Sequence, residues 1–216
     1  GTITGYTSTT VVTVNVTTVK PAAAGFVTPY ACGTPRPIGP NAPAVVGRAV
    51  GTSMVVPLAD DGTFCVHSSS TTGVVIDLYG VYSATKGLPF QPMAPRRLYD
   101  SRARTTLLPA GSVVTVQVAG TPGVSKWAKS AVLTVQGLTP AANGTVVVYN
   151  CAATRPTASS LELTKGVSSS NQVQVGLSST GTVCVYLSQP AHLVVDVSGW
   201  FATSGTTRYV AVAPFR

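Results

Sequence analysis

Gly181-Thr-Val-Cys-Val-Tyr186, followed by Leu193-Val-Val-Asp-Val-Ser-Gly-Trp-Phe201, has an earlier counterpart in Gly62-Thr-Phe-Cys-Val-His67 and Val74-Val-Ile-Asp-Leu-Tyr-Gly-Val-Tyr82. Cys65 and Cys184, Asp77 and Asp196, and Gly80 and Gly199 are each separated by 119 positions, with no gap required. The same register carries Pro21 onto Pro140, Gly25 onto Gly144, Cys32 onto Cys151, Ala94-Pro95 onto Ala213-Pro214, and Arg97 onto Arg216. A constant offset of this length is the signature of one folding unit written twice. It predicts two domains of ordinary size, 1–90 and 91–207, with 208–216 beginning a further unit or forming a C-terminal strand.

The residues between the repeated cysteines set the class. Val12, Val14 and Val16 alternate with Thr13, Asn15 and Thr17, a strand with one buried face. Pro21-Ala-Ala-Ala-Gly25 and Pro140-Ala-Ala-Asn-Gly144 are turns before further strands. Strands are also expected at Ser53–Leu58 and Gln172–Leu177, at Val113–Ala119, and as an edge piece at Leu98–Ser101. Gly33–Pro43 carries four prolines and reads as a surface loop. Only 9% of residues are charged, and Val and Thr displace the usual helix formers. The expected fold is all-β: two tandem β-sandwich domains of jelly-roll or Ig-like type, each with about eight or nine short strands. Trp127-Ala-Lys129 is at most a one-turn excursion.

The four cysteines form two copies of one pair, Cys32 with Cys65 and Cys151 with Cys184, each 33 residues apart. Metal ligation is the rival, but there is no Cys-x-x-Cys and neither His67 nor His192 recurs at a matching position. Two disulfides are therefore expected, each stabilising by about 3–4 kcal/mol in the chain-entropy account. They place the chain in an oxidising, extracellular compartment. Gly1 opens no signal peptide and no apolar run is long enough to span a bilayer, so the chain reads as a mature or excised piece with no membrane insertion.

Pro95-Arg-Arg-Leu-Tyr-Asp-Ser-Arg102 resembles the opening P-x-R-L-x-D-S/T-R of β-rich repeats in secreted actinobacterial proteins. Val14-Asn-Val-Thr17, the Gly25-to-Cys32 strand, the Gly-Thr-Val-Cys-Val-Tyr strand and the closing Val-Asp-Val-x-Gly-Trp-Phe follow in that family's order. The resemblance implies an accessory or surface-displayed module with no defined activity. The first copy departs from it by lacking the opening motif.

Enzymatic chemistry is not expected. A hydrolase needs a placed nucleophile and base or paired carboxylates, and the chain holds six acids, two unmatched histidines, no Gly-x-Ser-x-Gly and no His-Glu-x-x-His. No cofactor and no metal are expected. Asp77 and Asp196 each lie in the most apolar strand, where an unpaired carboxylate is costly. They are expected to form structural ion pairs with opening-motif arginines, Arg97 or Arg102 in the case of Asp196. A lone carboxylate makes a poor calcium site. The net charge of +8 would attract anionic polymers, yet the one basic concentration, Arg96, Arg97, Arg102 and Arg104, reads as solvated or paired, so no specific nucleic-acid partner is expected. Trp127, Trp200, Tyr6 and Tyr79 have no aromatic counterpart in the other copy and are candidate glycan-stacking residues.

Two full periods would occupy 238 positions, 22 more than the chain has, and the shortfall corresponds to Leu98–Ala119. One copy is thus short of a strand. The chain is a window on a longer array, the first copy has a smaller sheet, or a neighbouring molecule donates the strand. The functional expectation is a secreted, non-enzymatic structural repeat module of a cell-surface protein or fibre, meeting copies of itself or neighbouring repeats head to tail. The alternative is a carbohydrate- or cell-wall-binding module.

Overall fold

The structure is a computed structural model and describes residues 9–83 and 86–205. It is all-β, with no α-helix among the described residues. The first stretch holds β1 (Thr9–Val19), β2 (Gly25–Ala31), β3 (Ala42–Ala44), β4 (Val50–Pro57), β5 (Phe64–Ser68) and β6 (Gly73–Ser83). The second holds β7 (Phe90–Asp100), β8 (Val113–Gln117), β9 (Ser130–Leu138), β10 (Gly144–Asn150), β11 (Leu161–Leu163), β12 (Ser169–Gly176), β13 (Thr182–Leu187) and β14 (His192–Phe201). A 3-10 turn at Ser101–Ala103 follows β7, capped by the Asp100 carboxylate, which accepts the Arg102 amide.

The strands form four antiparallel sheets ordered β4-β1-β6, β3-β2-β5, β12-β9-β14-β7 and β11-β10-β13-β8. Alternation decides which face is buried. Val12, Val14 and Val16 of β1 share a core with Val27 of β2, Ala42 of β3 and Val56 of β4. Leu133 and Val135 of β9 and Leu193, Val195 and Val197 of β14 meet Val146 and Val148 of β10 and Val183, Val185 and Leu187 of β13 in a second core. That second core contains twenty-four buried residues against six in the first, so the second stretch holds most of the apolar driving force. Among the described residues each smaller sheet ends on β6 or β5, where the larger sheets add β7 and β8.

Three sequence expectations change. β7 begins at Phe90, eight residues before the edge piece expected at Leu98, and runs through Pro92 and Pro95. It is an edge strand, so the missing proline amides cost no ladder bond on its open side. Pro43 sits inside the three-residue β3, again at a sheet edge, within the segment expected to be loop. The first stretch has six strands and the second eight, against the eight or nine expected of each.

Turn geometry explains one glycine. Gly181 has φ +78° and its carbonyl accepts from the amides of Val118 and Ala119, so a Cβ there would collide with Ala119. A side chain would both strain the turn and displace the end of β8.

Candidate functional site

The most elaborate polar arrangement lies where the outer face of the β4-β1-β6 sheet meets β11 and β12. Thr13, Asn15 and Thr17 point away from the valine core yet are buried. The β12 edge covers them. Asn171 Nδ2 donates to Asn15 Oδ1 (2.9 Å) and to the Ser160 carbonyl (2.8 Å), while Asn171 Oδ1 accepts the Ser53 amide (2.9 Å). Asn15 Nδ2 donates to the Ser159 carbonyl and to Thr17 Oγ1, both at 3.2 Å. Thr13 Oγ1 donates to Gln174 Oε1 (3.1 Å), and Gln174 Nε2 donates to the Tyr82 hydroxyl (3.0 Å). Asn15 and Asn171 are 0% and 7% exposed, so these amides satisfy one another in place of water.

Acidic groups border this joint. Glu162 accepts from Ser159 Oγ, and its carboxyl is raised above the ordinary carboxylate value by burial, with the Asp77 charge adding to that. Burial pushes the Tyr79 phenol up to about 12, and its hydroxyl donates to the Ser159 carbonyl (3.2 Å). Burial also raises Asp77. A hollow of about 270 Å³ opens beside them, lined by Arg48, Asn143, Glu162 and Thr164 among others. Arg48 Nε reaches Thr164 Oγ1 at 3.4 Å across it.

The expected site residues fall into distinct groups. Cys32 is joined to Cys65 and Cys151 to Cys184, with Cα atoms 4.9 Å apart in each pair. The bridges tie β2 to β5 and β10 to β13 beside the Tyr30–Cys65 and Tyr149–Cys184 register pairs. Arg97 Nε donates to Asp196 Oδ1 across the β7–β14 ladder. Arg102 does not take Asp196. Its Nη2 lies 2.6 Å from Asp100 Oδ2, because the 3-10 turn brings it back over that carboxylate. The Arg102 guanidinium holds the Asp100 carboxyl far below the usual range, and Arg97 Nη1 also reaches Asp100, at 2.5 Å. Arg97 and Arg102 are thus paired, while Arg96 and Arg104 face solvent.

Asp77 differs from the expectation. Its carboxylate forms no ion pair or hydrogen bond among the described residues, where β6 has no β7-like neighbour to bring an arginine. The aromatic candidates do not converge either. Trp200 is 8% exposed with Nε1 donating to the Gly123 carbonyl, and Tyr79 is turned into the joint. Trp127 is 64% exposed under the Lys126 ammonium, 5.0 Å from the ring centroid, and Tyr6 lies outside the described residues, as does 208–216.

Ser101 Oγ and His192 Nδ1 are 3.2 Å apart, the contact a nucleophile and base would make. Ser101 is 1% exposed and its hydroxyl accepts the Leu193 amide, so the pair pins β7's end to β14. Reasoning from the sequence misses Asn15 and Asn171. A signal exists, since the 119-residue register puts Thr134 opposite Asn15 and Thr52 opposite Asn171. No family model matches the chain, and no curated protein or solved structure matches it either.

Proposed function

We propose that the chain is a non-enzymatic structural module of an extracellular surface protein or fibre, two tandem β-sandwich domains written from one 119-residue repeat. The strand bounds support the repeat. β1 to β6 shifted by 119 fall on β9 to β14 within two residues at every start and end, and the sheet orders β4-β1-β6 and β3-β2-β5 become β12-β9-β14 and β11-β10-β13. Two disulfides in matching places suit an oxidising exterior. No helix of the described residues is long and apolar enough to cross a membrane.

The observation that carries the reading is the joint. One unit's sheet face is buried against the other's edge through residues that differ between the copies, which makes a heterologous contact of the kind that stacks units in series. A joint sealed by buried amide pairs holds adjacent units at a fixed angle, the property a spacer or fibre needs. The resemblance to repeats of secreted actinobacterial proteins agrees with this use.

A carbohydrate- or wall-binding role is the second reading, and exposed Trp127 favours it. Titration of the chain against purified cell wall and a glycan array separates the two. The structural reading expects no saturable binding, and saturable binding that Trp127→Ala abolishes would replace it with the second.

A further inference from the structure

In the second stretch, β7 completes the sheet by three specific contacts with β14. The Phe90 ring lies over Gly199, where a Cβ would collide with it, Arg97 pairs with Asp196, and the ladder aligns Phe201 with Phe90, Gly199 with Pro92, Val197 with Arg96, and Asp196 with Arg97. Among the described residues the first stretch has the acceptor without the strand. β6 stands at the sheet edge, and no described atom lies within 4 Å of a Cβ at Gly80, the counterpart of Gly199. Asp77, the counterpart of Asp196, is without a cation among the described residues. Val74, Ile76 and Leu78 are 37%, 39% and 48% exposed, whereas their counterparts Leu193, Val195 and Val197 are each 0%. An open strand edge with an apolar flank is a site that proteins cover.

The chain contains one segment written for this place. Tyr209-Val-Ala-Val-Ala-Pro-Phe-Arg216 repeats Phe90–Arg97 at the same offset, with an aromatic at the first position and an arginine at the last. Laid on β6 in the β7 register, it sets Tyr209 opposite Tyr82, Ala211 opposite Gly80, Phe215 opposite exposed Leu78, and Arg216 opposite Asp77. We propose that Tyr209–Arg216 of one molecule adds as the missing edge strand on β6 of a second copy, with Arg216 pairing Asp77 and the Tyr209 ring covering Gly80. The donor is a second copy because β7 follows β6 in the chain yet pairs with β14 of the following stretch, so by the repeat the β7-like segment after β14 belongs with the unit that follows, here β6 of another molecule. This is β-strand addition between repeats, and its head-to-tail repetition gives a linear array. The proposal rests on the structural-module reading and names the contact by which modules join.

Sedimentation velocity on the full chain tests it. The wild-type mass should rise above the 22.0 kDa monomer with concentration, and a synthetic peptide of Tyr209–Arg216 should suppress that rise. Asp77→Arg and Arg216→Asp each set like charges against each other at the contact. Each should weaken association at least about tenfold. Arg216→Asp alters only the donor segment, so it keeps the test valid if Asp77→Arg perturbs folding. Mixing the two variants sets the substituted position 77 of one against the substituted position 216 of the other, and the native Asp77 against the native Arg216. Both kinds of contact then pair opposite charges again, and assembly should recover. A wild-type chain that stays at monomer mass, variants that assemble as wild type, or a mixture that does not recover would each overturn strand addition. The glycan titration is independent of all these outcomes, so a failed joint and a failed structural role give different results.

Discussion

Asn171→Ala tests the joint directly. Asn171 donates to Asn15 Oδ1 and accepts the Ser53 amide across the contact, and donates to the Ser160 carbonyl within its own stretch, so removing its amide orphans Asn15 Oδ1, the Ser160 carbonyl and the Ser53 amide. Asn15 and Ser160 are 0% and 2% exposed, and a buried polar group left unpaired costs about 1–3 kcal/mol, giving about 2–6 kcal/mol for the two. The vacated amide leaves polar space that a water can enter and partly re-satisfy, which moves the expectation to about 2–3 kcal/mol. The loss is shared between the two stretches, and the first, with a core of six buried residues, has the least to spare. Both tryptophans, Trp127 and Trp200, lie in the second stretch, so urea unfolding followed by tryptophan fluorescence reports that stretch and far-UV circular dichroism reports both. The wild type should give coincident transitions. In Asn171→Ala the circular-dichroism transition should split, with its first phase at lower urea than the fluorescence change. Coincident transitions in the variant, within about 0.5 kcal/mol of wild type, would show that the amide network does not couple the two stretches.

Removing Cys32–Cys65 by paired Ser substitutions should cost about 3–4 kcal/mol, as should removing Cys151–Cys184. The first loss should unfold its stretch at room temperature while the second leaves a folded protein, as circular dichroism would show. Glu162 and Asp77 have carboxyls raised in the folded state, so folding binds protons there. Their stabilising effect is fully present below the ordinary values of 4.5 and 3.8 and is lost as pH rises through the raised values. Stability should therefore increase as pH falls through the raised values towards 4.5 and 3.8, and Glu162→Gln should flatten that rise in urea titrations. Asp100 works in the opposite sense, since its lowered carboxyl gives a contribution that is present above 3.8 and lost as the medium becomes strongly acidic. Gly199→Ala should displace Phe90 and cost about 1–3 kcal/mol, whereas Gly80→Ala should leave the stability of the free chain near wild type.

How much of this could be read from the sequence depended on whether the physics was local or lay between units. Strands such as Thr13–Val16 and the cysteine strands were legible because their alternation comes from a core that both copies share, and the disulfides because the 33-residue spacing occurs twice. β7 was foreshortened because its prolines argue against a strand until its place at a sheet edge is known. Asn15, Asn171 and the solitary state of Asp77 were hidden for a related reason. A shared offset draws attention to positions that agree, and agreement marks what each unit needs to fold by itself. In the proposed module, what joins one unit to the next falls on positions that disagree, because a heterologous contact presents a face of one copy to an edge of the other. Thr134 in place of Asn15 and Thr52 in place of Asn171 are therefore informative mismatches. Asp77 is the converse case: it matches Asp196, yet no arginine pairs with it among the described residues. On the proposed strand addition, that half of the ion pair at the β6 edge is completed by Arg216 of another copy.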